Sequence, residues 1–235
     1  AGWLDELVRA LDTRPACGMA ASKMLFADRP GVINSAGIAV DRLGIAWDRQ
    51  GGQADAGESG PHEVFGACAG AALYRRAMLD DIGLFDEGFF AYLEDVDLAW
   101  RAQWAGWGAV YVPAAQVLHH HSATGGEGSP FKNRLLGRNK VWLIAKNYPM
   151  PYLASYWPLV VGYDLASVSY AALARRNLSA LAGRVAGWAG LRRMLVKRRQ
   201  MTRRISGKAM LEKLARVESP LRVLGRYRHL RPKAG

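Results

Sequence analysis

Glu94, Asp95 and Asp97 put three carboxylates within four positions, directly after the rings of Phe89, Phe90 and Tyr92. Acid this dense can supply a general base, a metal site, or the first turn of a helix, where the positive dipole end favours negative charge. Further along come His119, His120 and His121, after the apolar run PAAQVL and before Ser-Ala-Thr-Gly-Gly. The end of a strand leading into a Gly-rich loop is a usual place for functional side chains. Imidazole is a common metal ligand, but successive side chains on extended backbone diverge, so the three cannot share one ion.

A helix over 94–105, closed by Gly106, would place Glu94 and Asp95 in its first turn, where the dipole lowers carboxylate pKa values. Asp97 and Arg101 stand four apart and are expected to pair along the surface. Glu94 and Asp95 point about 100° apart on such a helix and cannot face each other across a substrate. That weighs against an opposed pair of the glycosidase kind and favours one acid acting alone as a base.

Periodicity predicts the elements that must hold these groups. An amphipathic helix spans about residues 3–12, with Leu4, Leu7, Val8 and Leu11 on one face. Strands follow at Gly18–Phe26 and Gly31–Val40, the second interrupted by Ser35 and Gly37. Residues 49–63 read as a polar, Gly-rich mobile loop, and Glu63–Tyr74 as a strand of small residues that lets a ligand or a packed helix approach its backbone. A short helix at Arg75–Ile82 is closed by Gly83. Short strands at Gly108–Val112 and Gln116–His120 are split by Pro113. Ser129-Pro130 starts a helix that runs to Tyr148. This alternation predicts an α/β domain over residues 1–150.

Half of the residues are hydrophobic, ample for a folded core, and the net charge is +12. That charge would suit nucleic acid or anionic lipid, but it is unevenly spread. Residues 1–130 hold 9 Lys/Arg against 17 Asp/Glu, and residues 131–235 hold 23 against 3. The chain reads as an acidic body with a basic helical tail at 151–235. Residues 152–174 are long enough to span a bilayer. Asp164 near their middle and Pro158 favour instead a helix lying in the interface. Residues 184–205 mix Trp188, Leu191, Met194 and Leu195 with clustered Arg and Lys, as cationic helices on anionic lipid do. No aromatic stacking platform accompanies the charge, so no nucleic-acid partner is expected. Cys17 and Cys68 sit in small apolar surroundings and read as buried thiols.

The ordered run FGACAGAALYRR, IGLFDEGFF, EDVDLAWR, YVPAAQVLH and Arg138-Asn139 resembles the family 2 glycosyltransferases, in particular their rhamnosyltransferase-like branch, over about 130 residues. The segment MLFADRPGVINSAG also suits that family, and the likeness fades after about residue 150. The resemblance implies the acceptor-side, C-terminal part of a GT-A mixed-sheet fold. It further implies inverting transfer of a sugar, with rhamnose one candidate, from a nucleotide-diphospho sugar donor to a hydroxyl of a lipid-linked saccharide acceptor in cell-surface polysaccharide synthesis.

By this resemblance Asp95 is the general base and Glu94 orients the acceptor or the base. His119 is a ligand for a divalent metal, Mg or Mn, on the donor diphosphate; His120 and His121 have no counterpart and stay loop residues. Ala69 and Gly70 would make room for the sugars, Tyr92, Trp104 and Trp107 are candidates for stacking on them, and Arg138 and Asn139 are candidate polar contacts. The basic tail would hold the site against an anionic membrane surface, at the cytoplasmic face of a bacterial inner membrane, peripheral or monotopic.

The family's nucleotide-binding half, which ends in Asp-x-Asp, has no counterpart here. AGWLDELVRAL resembles the helix that follows that motif, so the chain is expected to begin just downstream of it and to bind nucleotide sugar poorly alone. A non-catalytic membrane or nucleic-acid binding protein that keeps the fold is the alternative. A metal-dependent hydrolase built on Asp95, Asp97 and His119 is disfavoured, because nothing else supplies ligands.

Overall fold

In a computed structural model the described residues are 2–58, 60–120, 126, 128–174, 176–219 and 225. Helix α1 (Trp3–Asp12) leads into β1 (Cys17–Phe26), β2 (Arg29–Ser35), β3 (Ile38–Val40), β4 (Ala46–Asp48), β5 (His62–Val64) and β6 (Ala72–Tyr74). Then come α2 (Arg76–Ile82), a 3-10 turn (Glu87–Phe89), α3 (Glu94–Trp104) and β7 (Gly108–His119). The rest is helical: α4 (Pro130–Asn147), α5 (Met150–Ala174), α6 (Ser179–Ala189), α7 (Leu191–Gln200) and α8 (Gly207–Lys213).

Strands β1 and β7 run parallel at the centre of a mixed sheet. β5 lies antiparallel outside β7, while β2 and β6 take successive stretches of β1's other edge. All ten residues of β1 are buried, because apolar layers cover both faces. Leu7, Ala10 and Leu11 of α1 pack with Ala20, Val110 and Val112 on one side. Met19, Ala21, Ala109 and Tyr111 turn to the other, where they meet Ala99 and Trp100 of α3 and Trp142 of α4.

Several expected elements divide differently. The two strands expected around Pro113 are one, β7. Its register on β1 passes from Ser22–Val112 to Lys23–Gln116, so a bulge absorbs the proline, which has no N–H for the ladder. The bulge keeps the strand going and sets His119 beside Phe26 at its end. The expected strand over Gly31–Val40 breaks in two, with Gly37 at φ +89° between them. The expected strand over Glu63–Tyr74 is β5 and β6, on opposite sides of the β7–β1 pair, and residues 65–71 cross between them. That crossing needs small residues, since a Cβ on Gly66 would collide with Ala99 of α3.

The basic tail is pinned to the acidic body. Lys197 of α7 pairs with Asp86, and Arg204 makes a two-pronged pair with Asp81 at 2.6 and 2.7 Å. Ala215 N–H donates to Val40 carbonyl at 2.8 Å, and Arg42 N–H to Ala215 carbonyl at 3.1 Å. Asp164, the lone acid of α5, bonds Lys140 of α4 at 2.9 Å and Arg184 of α6 at 2.8 Å. Burial works to raise its pKa, but these two cations outweigh that and hold it at about 2. The Gly-rich face of α6 does not lie outward: a Cβ on Gly183 would strike the backbone of Arg134, and one on Gly187 would strike Val141. Among the described residues no helix is long and apolar enough to cross a membrane.

Lys146 Nζ sits between Asp86 Oδ2 and Asp97 Oδ2, 2.8 Å from each, with all three side chains buried. Burial pushes the Asp86 pKa up, yet Lys146 and Lys197 hold it far below the ordinary carboxylate range. Lys146→Met leaves two buried carboxylates short of a cation. It should cost about 3–5 kcal/mol, read from the urea midpoint. Because the Asp86 pKa is depressed, its stabilisation is present above the unfolded carboxyl pKa near 4 and is lost as pH falls below it. An acid titration of the urea midpoint should therefore be shallower in Asp86→Asn than in the parent.

Candidate active site

The turn ahead of α3 is built from backbone that side chains seldom adopt. Phe90, Tyr92 and Leu93 all have φ near +65°, a conformation costing on the order of 1–3 kcal/mol per residue without glycine. Two neighbouring residues of α4 hold it. Asn139 is fully buried, and its Nδ2 donates to the carbonyls of Phe89, Ala91 and Tyr92 at 3.0, 2.8 and 2.7 Å. Arg138 Nη2 donates to the carbonyls of Gly88 and Phe89 at 3.1 and 2.8 Å, and its Nε to Asn139 Oδ1 at 2.9 Å. Asp86 Oδ1 accepts from Gly88 N–H at 3.0 Å. Arg138 and Asn139, expected as ligand contacts or as an exposed helix face, clamp the turn from within, and of the two only Asn139 is fully buried.

The clamp delivers Glu94 and Asp95 to the crossing segment. Asp95 Oδ2 accepts from Ala69 N–H at 3.1 Å and Oδ1 from Val96 N–H at 2.8 Å. Burial pushes its pKa up to about 7, helped by the Glu94 charge and by Asp48 of β4, against the two N–H bonds. The helix dipole had been expected to lower it; desolvation beside two carboxylates prevails. The Glu94 pKa is also raised, chiefly by burial. Its Oε2 is buried without a hydrogen-bond donor among the described residues, an acceptor that a bound hydroxyl would satisfy.

The structure brings Ala69, Gly70 and His119 together beside Asp95. Ala69 and Gly70 are exposed, and a Cβ on Gly70 would lie 2.7 Å from Met24 Cε and 3.5 Å from His119 Nε2. His119 Nδ1 pairs with Asn34 Oδ1 at 2.9 Å, which directs Nε2 toward the crossing segment. Tyr92 lies in the clamped turn three positions before Asp95, with Lys132 Nζ 5.4 Å from its ring centroid. Trp107 is not here: it follows the far end of α3, roughly 16 Å of helix away, and bonds Asp81 at 2.8 Å. Trp104 is a core residue whose Nε1 donates to Asn147 carbonyl.

Asp97 pairs with Arg101 at 2.9 Å as the spacing predicts, but inside the protein and also with Lys146 and Asn147, not along the surface. It faces away from any site it would share with Asp95 as a hydrolase ligand. His120 is exposed, and His121 with the following Ser-Ala-Thr-Gly lies outside the described residues. Burial raises the Cys17 and Cys68 thiol pKa values, which keeps both protonated and bears out the reading of buried thiols, although Cys68 retains some surface. Asp48 and Asn34 were missed, because each lies far from its partner in sequence and neither forms a motif.

Among the described residues no group of three or more His, Cys, Asp or Glu is placed to hold a metal ion. The donor set fits a divalent cation in part only. His119, oriented through Nδ1 as liganding imidazoles commonly are, offers one nitrogen.

No family model matches the chain. It is 52% identical over 54 residues to the N-acetylglucosaminyl-diphospho-decaprenol L-rhamnosyltransferase of Mycobacterium tuberculosis, covering 23% of this chain and 18% of that protein. It is 30% identical over 132 residues to an O-antigen biosynthesis protein of Myxococcus xanthus, covering 52% and 10%. An uncharacterized protein of Sinorhizobium fredii is 29% identical over 148 residues, covering 59% and 16%. The chain thus spans less than a fifth of the length of each of these relatives. Two of the names support a glycosyltransferase relationship.

Asn139→Ala strips the turn of the amide that reaches three of its carbonyls. It should lower stability by about 2–3 kcal/mol and speed amide exchange at residues 91–95 more than elsewhere. Asp95→Asn removes a carboxylate whose ionisation folding opposes. A raised pKa means that stability is lost as pH climbs from the unfolded value near 4 towards 7. The Asn variant should therefore melt higher than the parent at pH 8 and nearly level with it at pH 4.

Proposed function

We propose that this chain carries the acceptor-activating part of an inverting family 2 glycosyltransferase of GT-A fold. The single observation behind this reading is Asp95. It is a carboxylate with its pKa raised to about 7, oriented by two backbone N–H groups and set at an exposed Gly/Ala segment where a sugar hydroxyl has room. A general base works best with a pKa near the working pH. Asp95 takes the proton of the acceptor hydroxyl as that oxygen bonds the anomeric carbon, and the bond from that carbon to the diphosphate breaks on the opposite side. The nucleoside diphosphate leaves and the anomeric configuration inverts. Glu94 Oε2 receives a second sugar hydroxyl and fixes the acceptor's attitude, and the bound geometry supplies much of the acceleration.

A Mg or Mn ion, where bound, would stabilise the leaving diphosphate. His119 would be one of its ligands, with oxygens of the diphosphate supplying others. The donor class follows from the sequence resemblance, with rhamnose the first candidate. The lipid-linked saccharide acceptor follows from the mycobacterial relative's name. The cytoplasmic membrane face is where such carriers present their sugars. The outer sides of α5 and α6 support a peripheral or monotopic placement there: Trp157, Leu165, Leu173, Leu181, Val185 and Trp188 are exposed together with the basic residues of α7.

The test is transfer from a panel of nucleotide sugars to polyprenyl-diphospho-N-acetylglucosamine. Asp95→Asn should reduce turnover by about a thousandfold or more while acceptor affinity stays within about threefold; unchanged turnover removes the assignment. In the parent, kcat/KM should fall about tenfold per pH unit below about 7, since the protonated carboxyl cannot act as a base. For the membrane face, Trp188→Asp should weaken cosedimentation with phosphatidylglycerol vesicles, and a variant that sediments like the parent would refute that placement.

A further inference from the structure

Three arginines meet beside the turn that carries Asp95. Arg134 and Arg138 lie one turn apart on α4, and Arg193 reaches across from α7. The guanidinium carbons of Arg138 and Arg193 lie 4.4 and 4.7 Å from the ring centroid of Trp142. Arg193 Nη2 would stand 3.3 Å from a Cβ on Gly88. Burial lowers the Arg138 pKa, and the nearby charges of Arg193 and Arg134 lower it further.

Buried and half-buried cations elsewhere in the protein find carboxylates: Arg101 and Lys146 have Asp97, and Arg184 has Asp164. Among the described residues these three arginines have none; Arg138 bonds only carbonyl and amide oxygens. Like charges held this close are costly until an anion joins them, and guanidinium forks match phosphate oxygens.

Apolar surface adjoins the cluster. Phe131 shares a face of α4 with Arg134 and Arg138, being three and seven residues away. Its ring is 50% exposed and meets Phe90, 73% exposed and part of the clamped turn, edge to face at 6.4 Å. A cationic cluster and a pair of open rings thus flank the turn that leads into Asp95. We propose that Arg134, Arg138 and Arg193 bind the diphosphate of the acceptor lipid and that Phe90 and Phe131 hold the isoprenoid units next to it. The inference rests on the lipid-linked acceptor proposed above and supplies the contacts that would recognise it.

Titration calorimetry of the full chain with geranyl diphosphate and with inorganic pyrophosphate tests it, alongside cosedimentation with vesicles of phosphatidylcholine and phosphatidylglycerol. Geranyl diphosphate should bind about tenfold or more tighter than pyrophosphate. Arg134→Gln and Arg193→Gln should each weaken both by about tenfold, the loss expected of one charge-assisted hydrogen bond. Phe131→Ala should weaken geranyl diphosphate alone. Among the described residues the Arg134 side chain makes no hydrogen bond or ion pair, so an unchanged melting curve for Arg134→Gln keeps the result interpretable.

Equal affinity for the two diphosphates would reduce the cluster to a plain anion site and overturn the proposal. So would arginine variants that bind geranyl diphosphate like the parent, or that lose only vesicle binding, which would mark a headgroup site. Binding needs neither donor nor proton transfer. Intact binding without sugar transfer would count against the enzymatic reading alone, and intact transfer without binding against this inference alone.

Discussion

Lys146 is the point on which the parts of this molecule converge. One ammonium, 2.8 Å from each of two buried carboxylates, joins the loop ahead of the candidate site through Asp86 to the helix behind it through Asp97. Asp86 also receives Lys197, so the basic tail enters the same network, and Arg101 completes it from α3 with bonds to the carbonyls of Ile82, Gly83 and Leu84. Removing any one charge from such a cluster leaves its neighbours buried and uncompensated, and that penalty exceeds what the intact cluster contributes. The network therefore acts as a geometric lock that fixes where α3 begins.

What the lock holds is strained and costly. Three left-handed residues precede Glu94, and the acid after it is kept in surroundings that oppose its ionisation. Neither feature would persist if the chain could relax. Arg138 and Asn139 prevent that by occupying the turn's carbonyls from the α4 side, while the small residues 66–70 close over it from the sheet side. A base with a raised pKa is what such confinement yields. The same confinement forbids the bulk that would otherwise fill the crossing segment, and so leaves room above Ala69 and Gly70.

The charge division of the chain acquires a structural meaning. Lys140, Lys146, Arg184, Lys197 and Arg204 of the basic half each bind an acid, several of them in the acidic half, so part of that charge is spent on folding. The charge left over is the part to interpret: the arginine cluster near Trp142 and the exposed basic residues of α7, set beside the open apolar sides of α5 and α6.

Local sequence determined much of this. Gly83 and Gly106 stop helices where expected, because a left-handed or extended residue after the last turn favours glycine. Ser129 caps α4 through Lys132 N–H, and the Asp97–Arg101 pair follows from helical spacing. The acidic run, the end of β7 at His119 and the small-residue segment were legible as chemistry because residue type alone restricts what they can do. The tertiary structure decided the rest. The Asp95 pKa rises or falls according to what is packed around it, and the packing comes from Ala69, Glu94 and Asp48, the last from a strand with no motif. Arg138 and Asn139 read equally well as ligand contacts or as surface until the turn they clamp is seen. Trp107 looked like a neighbour of Tyr92 in sequence and is carried off by the length of one helix. Spacing along a chain fixes contacts within an element, whereas burial and charge come from segments that only folding brings together.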